Sequence, residues 1–136
     1  MNVSLVTKAT PELEELWGHA HKDVVAKRGG PALLRTLCGP THEEDLLDDV
    51  VATSSLWTLE NDGQLLGFVV CREQVVEAIY VAHAFRRQKV ATTLVRALLE
   101  SATPPVDAYA LPGDRAMKSL FESLGWKARL LTMRGA

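Results

Sequence analysis

The chain is poor in the residues that build covalent or metal scaffolds: it has two cysteines, Cys38 and Cys71, and no Cys-x-x-Cys pair. The two read as reduced, buried thiols of a cytoplasmic protein, a disulfide between them being the weaker alternative. A surplus of positive charge is missing too. Fifteen Lys and Arg stand against seventeen Asp and Glu, a formal net charge of −2, which disfavours a nucleic-acid or anionic-membrane binder. No apolar run approaches the ~20 residues of a membrane span, so no membrane partner is expected. The opening stretch MNVSLVTKATPELEEL lacks the basic-then-apolar layout of a secretory leader, in keeping with a cytoplasmic location. No repeat or linker divides the chain. At 136 residues it is long enough for one hydrophobic core and is expected to be a single domain over residues 1–136.

What is present is a regular alternation of periods. Residues 3–7 alternate as a short strand. Thr10-Pro11 then supplies a helix cap with proline at the first helical position, and Glu12, Glu14 and Glu15 suit the positive end of the dipole. Leu13, Leu16, Trp17, Ala20, Val24 and Val25 continue at helical spacing until Gly29-Gly30-Pro31. Residues 32–38 can form a second short helix, and Thr41-His42-Glu43-Glu44 has capping-box spacing for a third. From Ser54 the period becomes that of strands: 56–59, the turn Asn61-Asp62-Gly63, 65–71, the turn Arg72-Glu73-Gln74, and 75–81. A helix from Val90, a strand over 106–111, a helix closed by Gly125 and a final strand over 127–133 complete the order. The order β-α-α(α)-β-β-β-α-β-α-β describes an α/β (α+β) fold with a mixed, mostly antiparallel central sheet flanked by helices.

The stretch VVEAIYVAHAFRRQKVATTLVRALL at residues 75–99 carries the most chemistry. A strand rich in β-branched residues runs into the basic turn Arg86-Arg87-Gln88-Lys89 and then into an amphipathic helix with Val90, Ala91, Leu94, Val95, Leu98 and Leu99 on one face. Such a unit aims the free N–H groups and positive dipole end of a helix at one point, a natural phosphate site. Its alternative is a solvated basic turn. Glu77 is the one charge inside a strand that the pattern predicts to be buried on both faces. Desolvation there would raise its pKa toward neutrality, as suits a general base; the other reading pairs it with Arg72 or a neighbouring base. Three weaker constellations read as structural. His19 and His21 stand i,i+2 on a helix and so face apart, leaving no metal site. Glu43, Glu44, Asp45, Asp48 and Asp49 suit a solvated helix start, although they could receive a cationic amine. Cys71 has no base partner that would make it a nucleophile.

The same stretch resembles the acetyl-CoA-binding motif of the GNAT N-acetyltransferases, in which a strand precedes Arg/Gln-x-x-Gly-x-Gly/Ala and a helix. Arg86 and Ala91 fit its first and last positions, and Val81, Phe85 and Leu94 its flanking apolar ones. Lys89 stands at the first glycine, where it either keeps the backbone path and replaces closeness with charge, or blocks the site. His83 stands where proline is common. GDRAMKSLFESLGW resembles the family's Asn-x-x-Ala-x-x-Leu-Tyr-Glu-x-x-Gly-Phe segment, with Asp114 at the asparagine and Phe121 at the tyrosine. The resemblance covers residue 54 onward, and the first fifty residues match only in element order. It implies a GNAT-like acyltransferase fold and transfer of an acetyl or short acyl group from acetyl-CoA to a primary amine of a small molecule or peptide, without metal. Glu77 would be the base. Tyr80, Val81, Arg86, Arg87, Gln88, Lys89, Val90, Ala91 and Asp114 would hold acetyl-CoA between the motif strand and the strand over 106–111. With phenylalanine at the tyrosine position the usual acid is absent; Tyr80, Tyr109, Ser119 or water would replace it. A non-catalytic relative that binds CoA or a protein partner is the alternative, and a homodimer is admitted.

Overall fold

A computed structural model describes residues 1–26, 46–111, 113–131, 133 and 135. Thr10 Oγ1 accepts from the Leu13 N–H at 3.2 Å and opens helix α1, Pro11–Ala26, as its Thr-Pro pair requires. Strand β1, Asn2–Leu5, precedes it, and helix α2, Leu46–Thr53, follows. The helix expected over 32–38 and the capping box at Thr41 lie outside the described residues. Three antiparallel strands come next: β2 Ser55–Asn61, β3 Gln64–Arg72 and β4 Val75–Val81. The β2–β3 turn places Asp62 and Gly63 at φ +52° and +76°, the twist that Asp-Gly supplies between antiparallel strands. A single 3₁₀ turn, His83–Phe85, leads to helix α3, Val90–Ser101. Strand β5, Asp107–Ala108, and helix α4, Arg115–Ser123, complete the elements.

The sheet order is β1-β2-β3-β4-β5, antiparallel throughout except for the parallel β4–β5 pair. On one face α1 and α2 pack Leu13, Leu16, Ala20 and Leu47 against Leu56, Phe68 and Val70. On the other, α3 and α4 pack Val90, Leu94, Val95, Leu98 and Phe121 against Leu59, Val69, Cys71 and Val76. Central β3 is buried from Leu66 through Cys71.

Three expectations are corrected. The strand expected over 106–111 pairs only at Asp107 and Ala108. Nor is β4 buried throughout: only Val76 is fully buried, and its other residues are partly buried. Among the described residues of 127–133 no strand forms, and Leu130, Leu131 and Met133 are exposed. Period-2 patterning specifies a strand only where a neighbour can pair with it, and two-residue β5 offers little edge. Gly125 does close α4. It sits at φ +85° while its own N–H and that of Trp126 donate to the Glu122 and Phe121 carbonyls, as in a Schellman cap. Among the described residues no helix is long and apolar enough to cross a membrane.

Candidate functional site

The site is built along the open edge of β4. Its register against β3 runs Phe68 to Tyr80, Val69 to Ile79 and Val70 to Ala78, then skips to Cys71 opposite Val76. Glu77 is therefore the extra residue of a β-bulge, a device that bends a strand and re-aims its side chains. On the other side the β5 ladder stops at Val76–Ala108, where the Tyr109 N–H donates to the Val76 carbonyl at 3.0 Å. The β4–β5 pairing ends there, and Glu77 is the first residue of β4 beyond it.

The Glu77 side chain is 10% exposed, and its Oε1 accepts from Arg72 Nε at 2.8 Å. Burial pushes its carboxyl above the usual carboxylate range; Arg72 opposes that shift by charge and hydrogen bond, and Glu73 adds to it. Both readings of Glu77 made from the sequence thus describe one arrangement, a desolvated carboxylate with an arginine partner. Cys71 is a buried free thiol. Burial and then the Glu77 charge raise its pKa, against a Gln74 backbone hydrogen bond, so it stays protonated and unreactive.

At the other end of β4 lies the basic turn. Arg86 is extended at φ −69°, Arg87 stands at φ +66°, Gln88 keeps a negative φ and Lys89 stands at φ +63°, ψ +22° before the helix begins. Alternation of this kind turns successive N–H groups inward into an anion-binding nest. Lys89 thus holds the left-handed conformation that glycine would adopt without strain. The backbone there follows the path that a glycine would take. Its side chain makes no capping hydrogen bond, so it offers the first-turn N–H groups of α3 no acceptor. The side chains of Arg86 through Lys89 are exposed, Val90 is buried beneath them and Ala91 is half-buried.

Gly67 explains how α3 starts so close to the sheet. It pairs with Val81, and a Cβ there would lie 2.6 Å from the Tyr80 carbonyl and 3.3 Å from Val90 Cγ1. A glycine inside a strand pattern was the available signal for this close approach.

Arg86 points away from the nest. Its Nε donates to the Val81 carbonyl at 3.1 Å, one terminal nitrogen meets Asp23 Oδ2 at 3.1 Å, and its guanidinium lies 5.5 Å from the Tyr80 ring centroid. It ties the end of α1 to the turn, a contact across 63 residues that no local pattern announces. Also on α1, His19 lies 3.9 Å from Glu15. Among the described residues no group of His, Cys, Asp or Glu could hold a metal. Asp114 caps α4 by accepting from the Met117 N–H at 3.1 Å. Phe121 is buried with its ring centroid 4.6 Å from that of Trp126, as a packing residue is.

The profile of the Acetyltransferase (GNAT) family matches residues 11–126. No curated protein matches the sequence. Among solved structures, the fold is similar to the tetramutant of a Bacillus halodurans protein, at 14% identity and TM-score 0.77 over 100% of this chain and 99% of that one. It is also similar to ribosomal-protein-alanine N-acetyltransferase from Brucella melitensis biovar Abortus 2308, at 18% identity and TM-score 0.65 over 98% and 100%. A third is AAC(6')-Iy in complex with a bisubstrate analogue, CoA-S-monomethyl-acetylneamine, at 17% identity and TM-score 0.61 over 100% and 99%. With the family profile spanning α1 through the close of α4, the chain belongs to the GNAT acetyltransferase family.

Proposed function

We propose that the chain is an N-acetyltransferase that moves an acetyl or short acyl group from acyl-CoA to a primary amine. The observation that carries this reading is the nest at residues 87–90, which keeps the glycine-like backbone through Lys89 and opens into uncapped α3. Backbone N–H groups across Gln88 to Ala91 would hold the pyrophosphate, with Arg87 and Lys89 adding positive charge. From Val81 back to Glu77 the strand spans about 13 Å at ~3.3 Å per residue, a length suited to an extended acyl-pantetheine arm. Tyr80 and Val81 would flank that arm, and Asp114 would act by fixing where α4 begins.

Acyl-CoA supplies the thioester when bound. The residues of the chain hold its phosphates at one end of β4 and place a carboxylate at the other. The raised pKa of Glu77 suits it to take a proton, directly or through water, from the incoming ammonium. The acceptor is the amine of a small molecule or peptide, the substrate classes named for the aminoglycoside and ribosomal-protein enzymes of similar fold. A free, buried Cys71 agrees with a cytoplasmic setting.

A second reading, a CoA-binding relative without turnover, is favoured by Phe121, which has no hydroxyl to donate. Thermal melting with acetyl-CoA and desulfo-CoA tests what the two readings share. Ligand at 100 times its dissociation constant should stabilise by about 2.7 kcal/mol, and no shift at millimolar ligand refutes both. Thiol release with a panel of amines then separates them.

A further inference from the structure

Acyl transfer needs a proton donor for the departing thiolate, and Phe121 has no hydroxyl to supply it. Three side-chain hydroxyls are candidates from the sequence, and the structure places them differently. The Tyr80 ring is committed to packing: its centroid lies 6.1 Å from that of Phe68, and the Arg86 guanidinium stands 5.5 Å from it. Ser119 is exposed and two residues before buried Phe121, on the side of α4 turned away from the core. Tyr109 packs in neither core and is 44% exposed. Its backbone is nevertheless fixed, since its N–H donates to the Val76 carbonyl at 3.0 Å.

That hydrogen bond sets where the phenol sits. The parallel β4–β5 ladder ends at the Val76–Ala108 pair. The next residue on β4 is Glu77 and the next on β5 is Tyr109, on strands about 4.8 Å apart. Beyond the ladder, residues 77–81 have no partner strand on this side among the described residues. An acyl-pantetheine arm extended along that edge from the nest must stop where β5 takes over the pairing. Its thioester then lies between Glu77 on one strand and Tyr109 on the other. Val106 and Ala108 pack into the core beneath α3, so alternation turns the Tyr109 ring to the opposite face, free of that core. We propose, on the acyltransferase reading above, that Tyr109 is the general acid. The ammonium gives one proton to Glu77 and its nitrogen bonds to the thioester carbonyl carbon. As the C–S bond breaks, the sulfur takes its proton from the Tyr109 hydroxyl. The second amine proton returns to the phenolate through water, leaving amide, free thiol and a protonated Glu77.

Thiol release from acetyl-CoA, measured across pH with an amine that the parent protein accepts, tests the assignment. The parent kcat should fall on the alkaline side as the phenol loses its proton. Tyr109→Phe should lower kcat by about 10²-fold, the lower end of what general acids contribute, and should lose that alkaline limb. Its KM for acetyl-CoA and its Tm should match those of the parent. The more acidic 3-fluorotyrosine at position 109 should restore turnover and move the limb to lower pH. Ser119→Ala should behave as the parent. An undiminished kcat in Tyr109→Phe, a limb that persists in it, or loss of the limb through Tyr80→Phe instead overturns Tyr109 as acid and leaves the acyltransferase reading standing. A parent protein that releases no thiol with any amine overturns both.

Discussion

Arg72 and Glu77 form a hydrogen-bonded ion pair across the bulge of the β3–β4 hairpin, 2.8 Å apart, with the carboxylate the more buried partner. The pair sets the proton affinity of the carboxylate just past the end of the β4–β5 ladder. Glu77→Gln should lower kcat/KM by about 10²–10⁴-fold while leaving the melting shift with CoA unchanged. Arg72→Ala removes what opposes the raised pKa and should move the acid limb of the rate profile to higher pH. A pH–rate profile of each variant decides; an unchanged Glu77→Gln profile removes Glu77 as base.

The same shift predicts a stability effect. Because the folded carboxyl binds its proton more tightly than the unfolded one, the native state carries more protons between the ordinary carboxylate range and the raised value. The contribution of Glu77 to stability is thus full below that window and declines as pH rises through it. Urea unfolding across the window should show the decline in the parent protein and not in Glu77→Gln.

Lys89 at φ +63° makes the turn sensitive to side-chain shape rather than to charge alone. Lys89→Gly relieves about 1–2 kcal/mol of left-handed strain, offset by roughly 0.5–1 kcal/mol of extra chain entropy, so its Tm should match or exceed that of the parent. Its affinity for CoA should fall only by the loss of one exposed charge. Lys89→Val, branched at Cβ, should lower both Tm and CoA binding. Calorimetry on the two variants checks the order.

At Gly67 an added methyl meets backbone rather than a flexible side chain. Gly67→Ala should cost about 1–3 kcal/mol in urea unfolding as β4 and the start of α3 move apart. It should also weaken CoA binding, although Gly67 lies on β3 rather than on β4.

Asp114 acts as a helix cap, so charge and capping can be separated there. Asp114→Ala should destabilise by about 0.5–2 kcal/mol, whereas Asp114→Asn should hold stability, asparagine being an equal cap. Equal losses in both variants would show that the charge, not the cap, matters.

Sequence periods were enough to locate β4 to the residue and the start of α3, because a β-branched run and a 3.6-residue stripe each need only local patterning. The helix caps at Thr10 and Gly125 and the turn at Asn61-Asp62-Gly63 were legible for the same reason. The length of β5 was not, since a strand ends where its neighbour turns away. Nor was the bulge at Glu77, which exists only as a mismatch between two strands. The Asp23–Arg86 tie joins elements far apart in the chain, and the left-handed Arg87 and Lys89 run against their own preference. Glycine would have announced that geometry; lysine conceals it.

The two-residue β5 has a consequence for how the protein behaves without its ligand. Beyond Val76, β4 is an edge strand on its outer side, and a bare edge is a template for pairing with other chains. Under the proposed function, an acyl-pantetheine arm, with two amides of its own, would occupy that edge as a substitute strand. Cofactor supply would then act as a solubility factor. Acetyl-CoA should slow amide exchange at residues 78–81 and suppress aggregation on heating, to a greater degree than its effect on Tm accounts for.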